Sequence, residues 1–203
     1  MNPPSYGTSS TYLTVDAARS LLNHVLTPAT APHVITRLFA GLRKAEANAF
    51  SWGDMVFDGD HQRIAEVHVD ELRTFHQHHC RLVPACPALQ EWLRPFAGLT
   101  GSITRNSKTS RFVHEESLKC GVTLGHSVLR TSYAAYRLAQ TRDVGLVAQE
   151  IGSSNNWFFR PIQWPSSVEN AQLFFGLTPG ACGRPGWAQE VAAWRQDGHK
   201  HAS

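Results

Sequence analysis

Apolar residues recur at helical spacing through most of the chain. In the first such stretch Val15, Ala18, Leu22 and Val25 share one face, and Thr14 is a suitable N-cap. The same spacing predicts further helices over residues 32–41, 42–52, 88–96, 107–119, 127–139, 144–151 and 167–177. The pattern is that of a mostly helical domain.

The pattern changes between residues 53 and 84. Residues 64–69 alternate apolar and polar positions as a half-buried strand does, and residues 80–84 have the character of a return strand. Residues 56 and 57 precede an acidic turn at 58–60. We therefore expect an α+β fold, mostly helical, with a small antiparallel β-sheet.

The chain divides into a lead, one domain and a tail. Residues 1–11 are rich in Ser, Thr, Pro and Gly and predict a flexible lead, and residues 12–179 form the domain. Residues 180–203 comprise a Gly/Pro linker and a short amphipathic tail over 187–194, which docks on its own domain or on a neighbour.

Composition fits a globular protein of 203 residues, because 42% of the residues are hydrophobic and 17% are charged. Those fractions exclude a wholly disordered chain, a collagen and a coiled coil. No apolar stretch approaches the roughly 20 residues that span a bilayer, and the start of the chain does not resemble an export signal. We expect a cytoplasmic protein with no membrane partner.

The net charge of +3 is small, but the charge is unevenly distributed. Residues 1–80 carry six cationic and eight anionic side chains, whereas residues 101–142 carry seven cationic and two anionic ones. Arginine accounts for 15 of the 19 cationic residues, and its planar fork of donors suits phosphate groups. The sequence therefore predicts a basic central face, or else a solvated helical surface.

Several common chemistries are absent from the sequence. Residues 76–80 read His-Gln-His-His-Cys, but no second pair of ligands with metal-site spacing accompanies them. The four cysteines form no CxxC pair and are expected to be reduced thiols. There is no GxSxG, P-loop or GxGxxG motif. We expect no metal and no cofactor.

Two arginines lie in contexts that suggest a site. Arg43 follows a glycine between two predicted helices, with Glu46 three residues later to hold its guanidinium. Arg130 lies on a helix with an apolar face. Two convergent arginines can bind the non-bridging oxygens of a phosphodiester and offset developing charge. The alternative is that each forms a salt bridge over a helix end.

Four segments, in this order, resemble the catalytic domain of tyrosine recombinases, the phage integrase family. They are residues 38–46, 81–84, 129–139 and 150–154, with a predicted β-hairpin between the first two. The resemblance spans residues 12–179. It implies the family fold and binding of double-stranded DNA.

The resemblance assigns roles residue by residue. Arg43 and Arg130 match the two arginines of the family, with Glu46 as the supporting acid. The hairpin lysine of the family falls on Arg73, which gives up a proton poorly. His126 stands beside the position that the family gives to a histidine. Two further family positions differ and carry Thr131 and Ser153.

The position of the family's nucleophilic tyrosine falls on Ile162, which has no nucleophilic oxygen. Without that phenol the covalent phosphotyrosyl step is lost. The resemblance therefore implies a vestigial catalytic site made of Arg43, Arg73, His126 and Arg130. Only about a dozen residues precede the domain, so we expect either a fragment of a longer protein or a recombinase half without its N-terminal DNA-clamping domain.

The sequence thus predicts a catalytically degenerate, DNA-binding pseudoenzyme related to DNA recombination and integration of mobile elements, associated with the nucleoid when bound to DNA. Arg43, Arg73 and Arg130 would hold a backbone phosphate, and Lys108, Arg111 and Arg137 would add contacts of their own. Other recombinase subunits are expected partners. Two alternatives stay open: a strand-exchange subunit that receives a tyrosine in trans, and a relic domain for protein–protein contacts. We expect Arg130→Ala to weaken DNA binding with little loss of stability.

Overall fold

A computed structural model describes residues 12–24, 26–57, 64–69, 81–104, 109–125, 127–153 and 167–198. Nine α-helices lie within these ranges, and they confirm the mostly helical class. Their bounds are α1 Val15–His24, α2 Ala31–Phe39, α3 Lys44–Ala49, α4 Pro87–Leu93, α5 Thr109–Lys119, α6 Val128–Thr141, α7 Val144–Ile151, α8 Val168–Phe175 and α9 Trp187–Gly198.

Three strands, β1 Met55–Phe57, β2 Ile64–Val69 and β3 Arg81–Pro84, form an antiparallel sheet in the order β1-β2-β3. The Cα atom of Val67 stands opposite Met55 on one side and Val83 on the other. Along β3 the residues alternate between buried and exposed, so Arg81 and Val83 point inward. The sheet thereby directs a cationic side chain into the helical part of the molecule.

Helix α2 is the centre of the core. All nine of its residues are buried, and it packs against α3, α4 and α6. A proline in the first turn suits a helix start, where its missing N–H would have no intrahelical partner. Its two charged or titratable residues, His33 and Arg37, are consequently enclosed by other elements.

Both ends of the described chain are fastened to this core. The backbone N–H of Leu13 donates to Ser132 Oγ at 2.9 Å, and Tyr136 Oη donates to the carbonyl of Leu13 at 3.0 Å. Near the other end, Trp187 Nε1 donates to the carbonyl of Trp92 at 2.9 Å. Helix α9, which contains the whole predicted amphipathic tail, therefore docks on its own domain.

The segment predicted as a linker packs closely where the structure describes it. Cys182 is buried. The guanidinium of Arg184 lies 4.7 Å from the ring centroid of Trp187, and its Nη1 donates to the carbonyl of Leu26 at 2.7 Å. These contacts tie the turn before α9 to the chain that follows α1.

None of the helices in the described ranges has the length and apolar character needed to cross a membrane.

Candidate functional site

The site begins at the junction between α2 and α3. Gly41 has φ +66°, and a Cβ atom there would lie 2.7 Å from Cδ1 of Tyr133. Glycine is therefore required both by the backbone conformation and by the close approach of the tyrosine ring. This turn sets the direction in which the chain reaches Arg43, the residue before α3.

Glu46 lies in the first turn of α3 and holds Arg43 in two ways. Its Oε2 accepts from the backbone N–H of Arg43 at 2.6 Å, and its Oε1 accepts from Arg43 Nη1 at 2.7 Å. The first bond satisfies a donor that a helix start leaves open, as in a capping box. The contact between Arg43 and Glu46 that the sequence predicted is present.

Arg81, at the start of β3, reaches the same carboxylate from the sheet. Its Nη2 donates to Glu46 Oε2 at 2.7 Å, and its Nε donates to the carbonyl of Glu150 at 2.8 Å. Both Arg81 and Glu46 are buried. Burial alone would raise the pKa of Glu46, but hydrogen bonds and charge from Arg81 and Arg43 outweigh it and lower that pKa below its usual value.

Three arginines meet at the carboxyl end of α7. Arg81 donates to the carbonyl of Glu150, Arg130 Nη2 donates to that of Ile151 at 2.7 Å, and Arg43 Nη2 donates to that of Gly152. The three acceptors are consecutive residues, so the guanidinium groups converge within one helical turn. We call Arg43, Arg81 and Arg130 the arginine cluster.

The end of α7 favours this arrangement. Gly152 takes the left-handed conformation, with φ 62°, and closes the helix through bonds from its N–H to earlier carbonyls. The last carbonyls of a helix carry the negative end of its dipole and need donors. The arginine cluster supplies those donors, and the helix end in turn orients the guanidinium groups.

Exposure differs across the arginine cluster. The Arg43 side chain is 28% exposed, whereas Arg130 and Arg81 are both buried, with 6% and 7% of their surface exposed. An anion from solvent therefore meets Arg43 first. The burial of Arg130 and its bond to Ile151 also change the expectation for Arg130→Ala, because this substitution removes a buried donor and must cost stability.

A second ion pair, between Arg137 and Glu150, holds the helix end that the arginine cluster contacts. Arg137 donates from Nε to Glu150 Oε2 at 2.9 Å and from Nη2 to Oε1 at 2.7 Å. Tyr133 Oη donates to Glu150 Oε2 at 2.9 Å. Glu150 thus fixes the last turn of α7 with its side chain while its backbone carbonyl accepts from Arg81.

Tyr133 lies near the cluster, but its environment makes it a poor nucleophile. The residue is buried, and its hydroxyl proton is directed at Glu150. Burial, followed by the negative charge of Glu150, raises the pKa of Tyr133 well above its usual value. Tyr136 is also buried, and its hydroxyl donates to the carbonyl of Leu13. Both rings act as structural supports.

The remaining predicted site residues divide into two groups. Arg111 lies on the exposed face of α5 and pairs with Glu115 at 2.7 Å, and Arg137 pairs with Glu150 as described. The other four lie outside the described residues: Arg73, Lys108, His126 and Ile162. The same holds for the His/Cys segment at residues 76–80.

Within the described ranges, no group of three or more His, Cys, Asp or Glu residues is placed to bind a metal ion. The member of the cluster that sequence reasoning missed is Arg81. Its signal was present: it begins the Arg-Leu-Val-Pro strand, where the alternation of β3 places it on the same inward face as Val83. What the sequence did not reveal was the acceptor, because Glu46 and Glu150 are distant along the chain.

No protein-family model matches the sequence, and no curated protein matches it. Among solved structures, the crystal structure of XerA recombinase resembles this fold with a TM-score of 0.51 and 16% sequence identity. The similarity covers 93% of this chain and 66% of the XerA recombinase chain. At this sequence identity the comparison shows similarity of fold alone, and the similar fold is that of a recombinase.

Proposed function

We propose that the chain is a DNA-binding domain of the tyrosine recombinase type, which takes part in DNA recombination or integration without cleaving DNA on its own. The observation that supports this most directly is the convergence of Arg43 and Arg130 on the adjacent carbonyls of Gly152 and Ile151. It occurs in a fold similar to that of XerA recombinase.

Electrostatics favour an anionic ligand at the arginine cluster. Two guanidinium groups, those of Arg43 and Arg81, share the single carboxylate of Glu46, while Glu150 is engaged by Arg137. A backbone phosphate of duplex DNA would meet the exposed side of Arg43 and offset this excess of positive charge. Arg130 would assist in holding that phosphate, with Arg81 as a positioning residue, and Arg73 completes the phosphate-binding set in this proposal.

Additional phosphate contacts belong to the same proposal. Arg111 is highly exposed, and its pairing with Glu115 is of the surface type that a phosphate can displace. Arg137 would contact DNA only with the donors that Glu150 leaves available. Lys108 would add a further non-specific contact.

The absence of self-sufficient cleavage rests on the sequence at the nucleophile position and on the described tyrosines. Ile162 carries no hydroxyl group, and Arg73 replaces the expected lysine acid. Tyr133 and Tyr136 are buried with their hydroxyl protons committed to internal acceptors. Tyr6 and Tyr12 stand far before the nucleophile position in the sequence. Cleavage of the family type would therefore need a tyrosine from another subunit.

Binding is tested by fluorescence anisotropy with labelled duplexes over a series of salt concentrations. We expect salt-dependent binding by the wild-type protein and roughly 10- to 100-fold weaker binding by Arg43→Gln, because one charge-assisted bond is worth about 1.5–3 kcal/mol. Arg94→Gln removes an exposed arginine paired with Glu91 and serves as the control. Thermal melting of each variant verifies that it is folded. Absence of binding to any duplex at low salt would overturn the proposal and favour a protein–protein role.

Cleavage is tested separately with nicked suicide duplexes, which trap a covalent phosphotyrosyl adduct. We expect no adduct with the protein alone. An adduct formed by the isolated chain would contradict the degenerate site, and one formed only with an added recombinase subunit would indicate donation in trans.

A further inference from the structure

A buried arginine lies outside the arginine cluster. Arg37, in the last turn of α2, is only 8% exposed. Its Nη1 lies 3.5 Å from Nε2 of His33, one turn earlier on the same helix. Burial lowers the pKa of Arg37 to about 10. This value is still well above neutral pH, so the side chain remains cationic.

His33 cannot offset that charge. An arginine only donates, so Nε2 of His33 must be an acceptor in this contact, and the ring proton resides on Nδ1. Nε2 also lies 3.0 Å from Ser110 Oγ, while Nδ1 lies 3.4 Å from Thr104 Oγ1, which donates to the carbonyl of Ala47 at 3.0 Å. Every hydrogen bond of the ring is consistent with a neutral imidazole.

Acids pair with several other arginines of the described chain but not with Arg37. Arg43 and Arg81 pair with Glu46, and Arg137 pairs with Glu150. Among the residues that the structure describes, no carboxylate lies within ion-pair distance of Arg37. Its Nε is sealed from solvent without a hydrogen-bond partner. An uncompensated buried charge is costly, which points to a counter-ion that comes from outside.

The surroundings of Arg37 are positive. Burial, then the charge of Arg37 and the charge of Lys44, lower the pKa of His33. Ser110, which contacts His33, is the second residue of the 11-residue helix α5, so the positive end of that helix dipole lies beside His33. Three sources of positive potential thus converge beside α2.

We propose that Arg37, with Lys44 and the first turn of α5, forms a second anion site that takes a phosphate group of the DNA backbone. This inference rests on the proposed function for the identity of the ligand. In the described part of the chain, no hydrogen bond joins this second site to the arginine cluster. The second site therefore adds a separate contact, which fixes the position of the duplex relative to α2 and α5.

The site itself is tested without DNA. Thermal melting in inorganic phosphate is compared with melting in chloride at equal ionic strength, for the wild type, Arg37→Met and the control Arg94→Met. We expect phosphate to raise the Tm of the wild type and of Arg94→Met but not that of Arg37→Met. An equal rise in Arg37→Met would overturn the proposal.

The chloride buffer supplies a second criterion. Methionine keeps the unbranched stem and removes the charge, so Arg37→Met should melt at or above the wild-type temperature when no phosphate is present. If this variant unfolds or melts far below the wild type in chloride, the charge of Arg37 has its counter-ion within the chain, and the proposal is wrong.

The source of the phosphate is decided by duplex binding. If Arg37 contacts one backbone phosphate, the slope of log Kobs against log[salt] should be smaller by about one in Arg37→Met and unchanged in Arg94→Met. A phosphate effect on Tm with an unchanged slope would assign the site to free phosphate and overturn the DNA assignment. If the wild type binds no duplex, the proposed function fails, while the melting comparison still decides whether the anion site exists.

Discussion

Glu46 is the residue on which the arginine cluster depends. Its carboxylate accepts from Arg81 and twice from Arg43, and its pKa is lowered because these bonds and charges outweigh burial. We predict that Glu46→Gln lowers the free energy of unfolding by about 3–5 kcal/mol, since it leaves two guanidinium groups without their acid. Urea denaturation measures the loss.

Glu115→Gln is the matched control for that substitution. Glu115 pairs with Arg111 on the exposed face of α5, where solvent screens the interaction, so no measurable loss of stability is expected. Equal effects of the two substitutions would show that Glu46 is no more important than a surface carboxylate.

His33 should make the stability of the fold depend on pH. Burial, with the charges of Arg37 and Lys44, lowers the pKa of His33 from 6.5 to about 3. Between these values the unfolded chain binds a proton that the folded protein does not, so the free energy of unfolding falls as the pH falls. We predict a loss of roughly 2 kcal/mol between pH 6.5 and pH 5, measured by urea denaturation.

His33→Gln provides the comparison for this pH dependence. Glutamine retains polar atoms at the site but does not titrate. The free energy of unfolding of this variant should therefore change much less over the same pH interval. Glu46 contributes only near and below its usual value of 4.5, which keeps the two effects apart. A variant that retains the full slope would exclude His33 as its origin.

At the scale of elements, Gly41 controls how α3 leaves α2. We predict that Gly41→Ala destabilises the protein by more than about 1 kcal/mol, for two reasons. The backbone has φ +66°, and the added Cβ would lie 2.7 Å from the ring of Tyr133. Because α3 carries Glu46, the substitution should also weaken DNA binding in the anisotropy assay.

Gly98→Ala separates the two reasons. Gly98 has φ +82°, and nothing lies within 4 Å of an added Cβ atom there. This variant therefore measures conformational strain alone, and the difference between the two variants measures the clash with Tyr133. If both lose the same stability, the close approach of the ring has no energetic weight.

The helices themselves were accessible from local pattern. The predicted range 144–151 matches α7, and Thr14 caps α1 by accepting from the N–H of Ala17 at 3.1 Å. The predicted and observed helices differ mainly in the residues at which they begin and end. The helix predicted over 88–96 is α4 up to Leu93, and residues 94–96 continue it as a 3-10 turn that contains Pro95. Proline removes a donor, which favours such a change at a helix end.

On the scale of the whole molecule, α9 closes the core. Trp187 is buried, its Nε1 donates to the carbonyl of Trp92, and the two rings meet edge to face with centroids 5.0 Å apart. We predict that Trp187→Ala lowers the free energy of unfolding by about 3–5 kcal/mol, as large aromatic truncations in cores do. Urea denaturation again provides the measurement.

Trp194→Ala is the control on the same helix. Trp194 is only partly buried and meets Phe96 with a centroid distance of 6.0 Å, so its loss should be clearly smaller. If the two tryptophans contribute equally, the tail is held by general apolar coverage of the core instead of by the specific docking of Trp187.

The sequence by itself determined the helical class, most helix positions and the contact between Arg43 and Glu46. The helical period of the apolar residues and the separation of three residues between Arg43 and Glu46 are both local, because they act within one or two helical turns. Only the tertiary structure brought Arg81 to Glu46 and aligned three arginines with the carbonyls of Glu150, Ile151 and Gly152. Those partners are far apart along the chain, and their meeting depends on how β3, α3, α6 and α7 pack. The uncompensated burial of Arg37 is of the same kind, since no local pattern reveals which groups will surround a side chain.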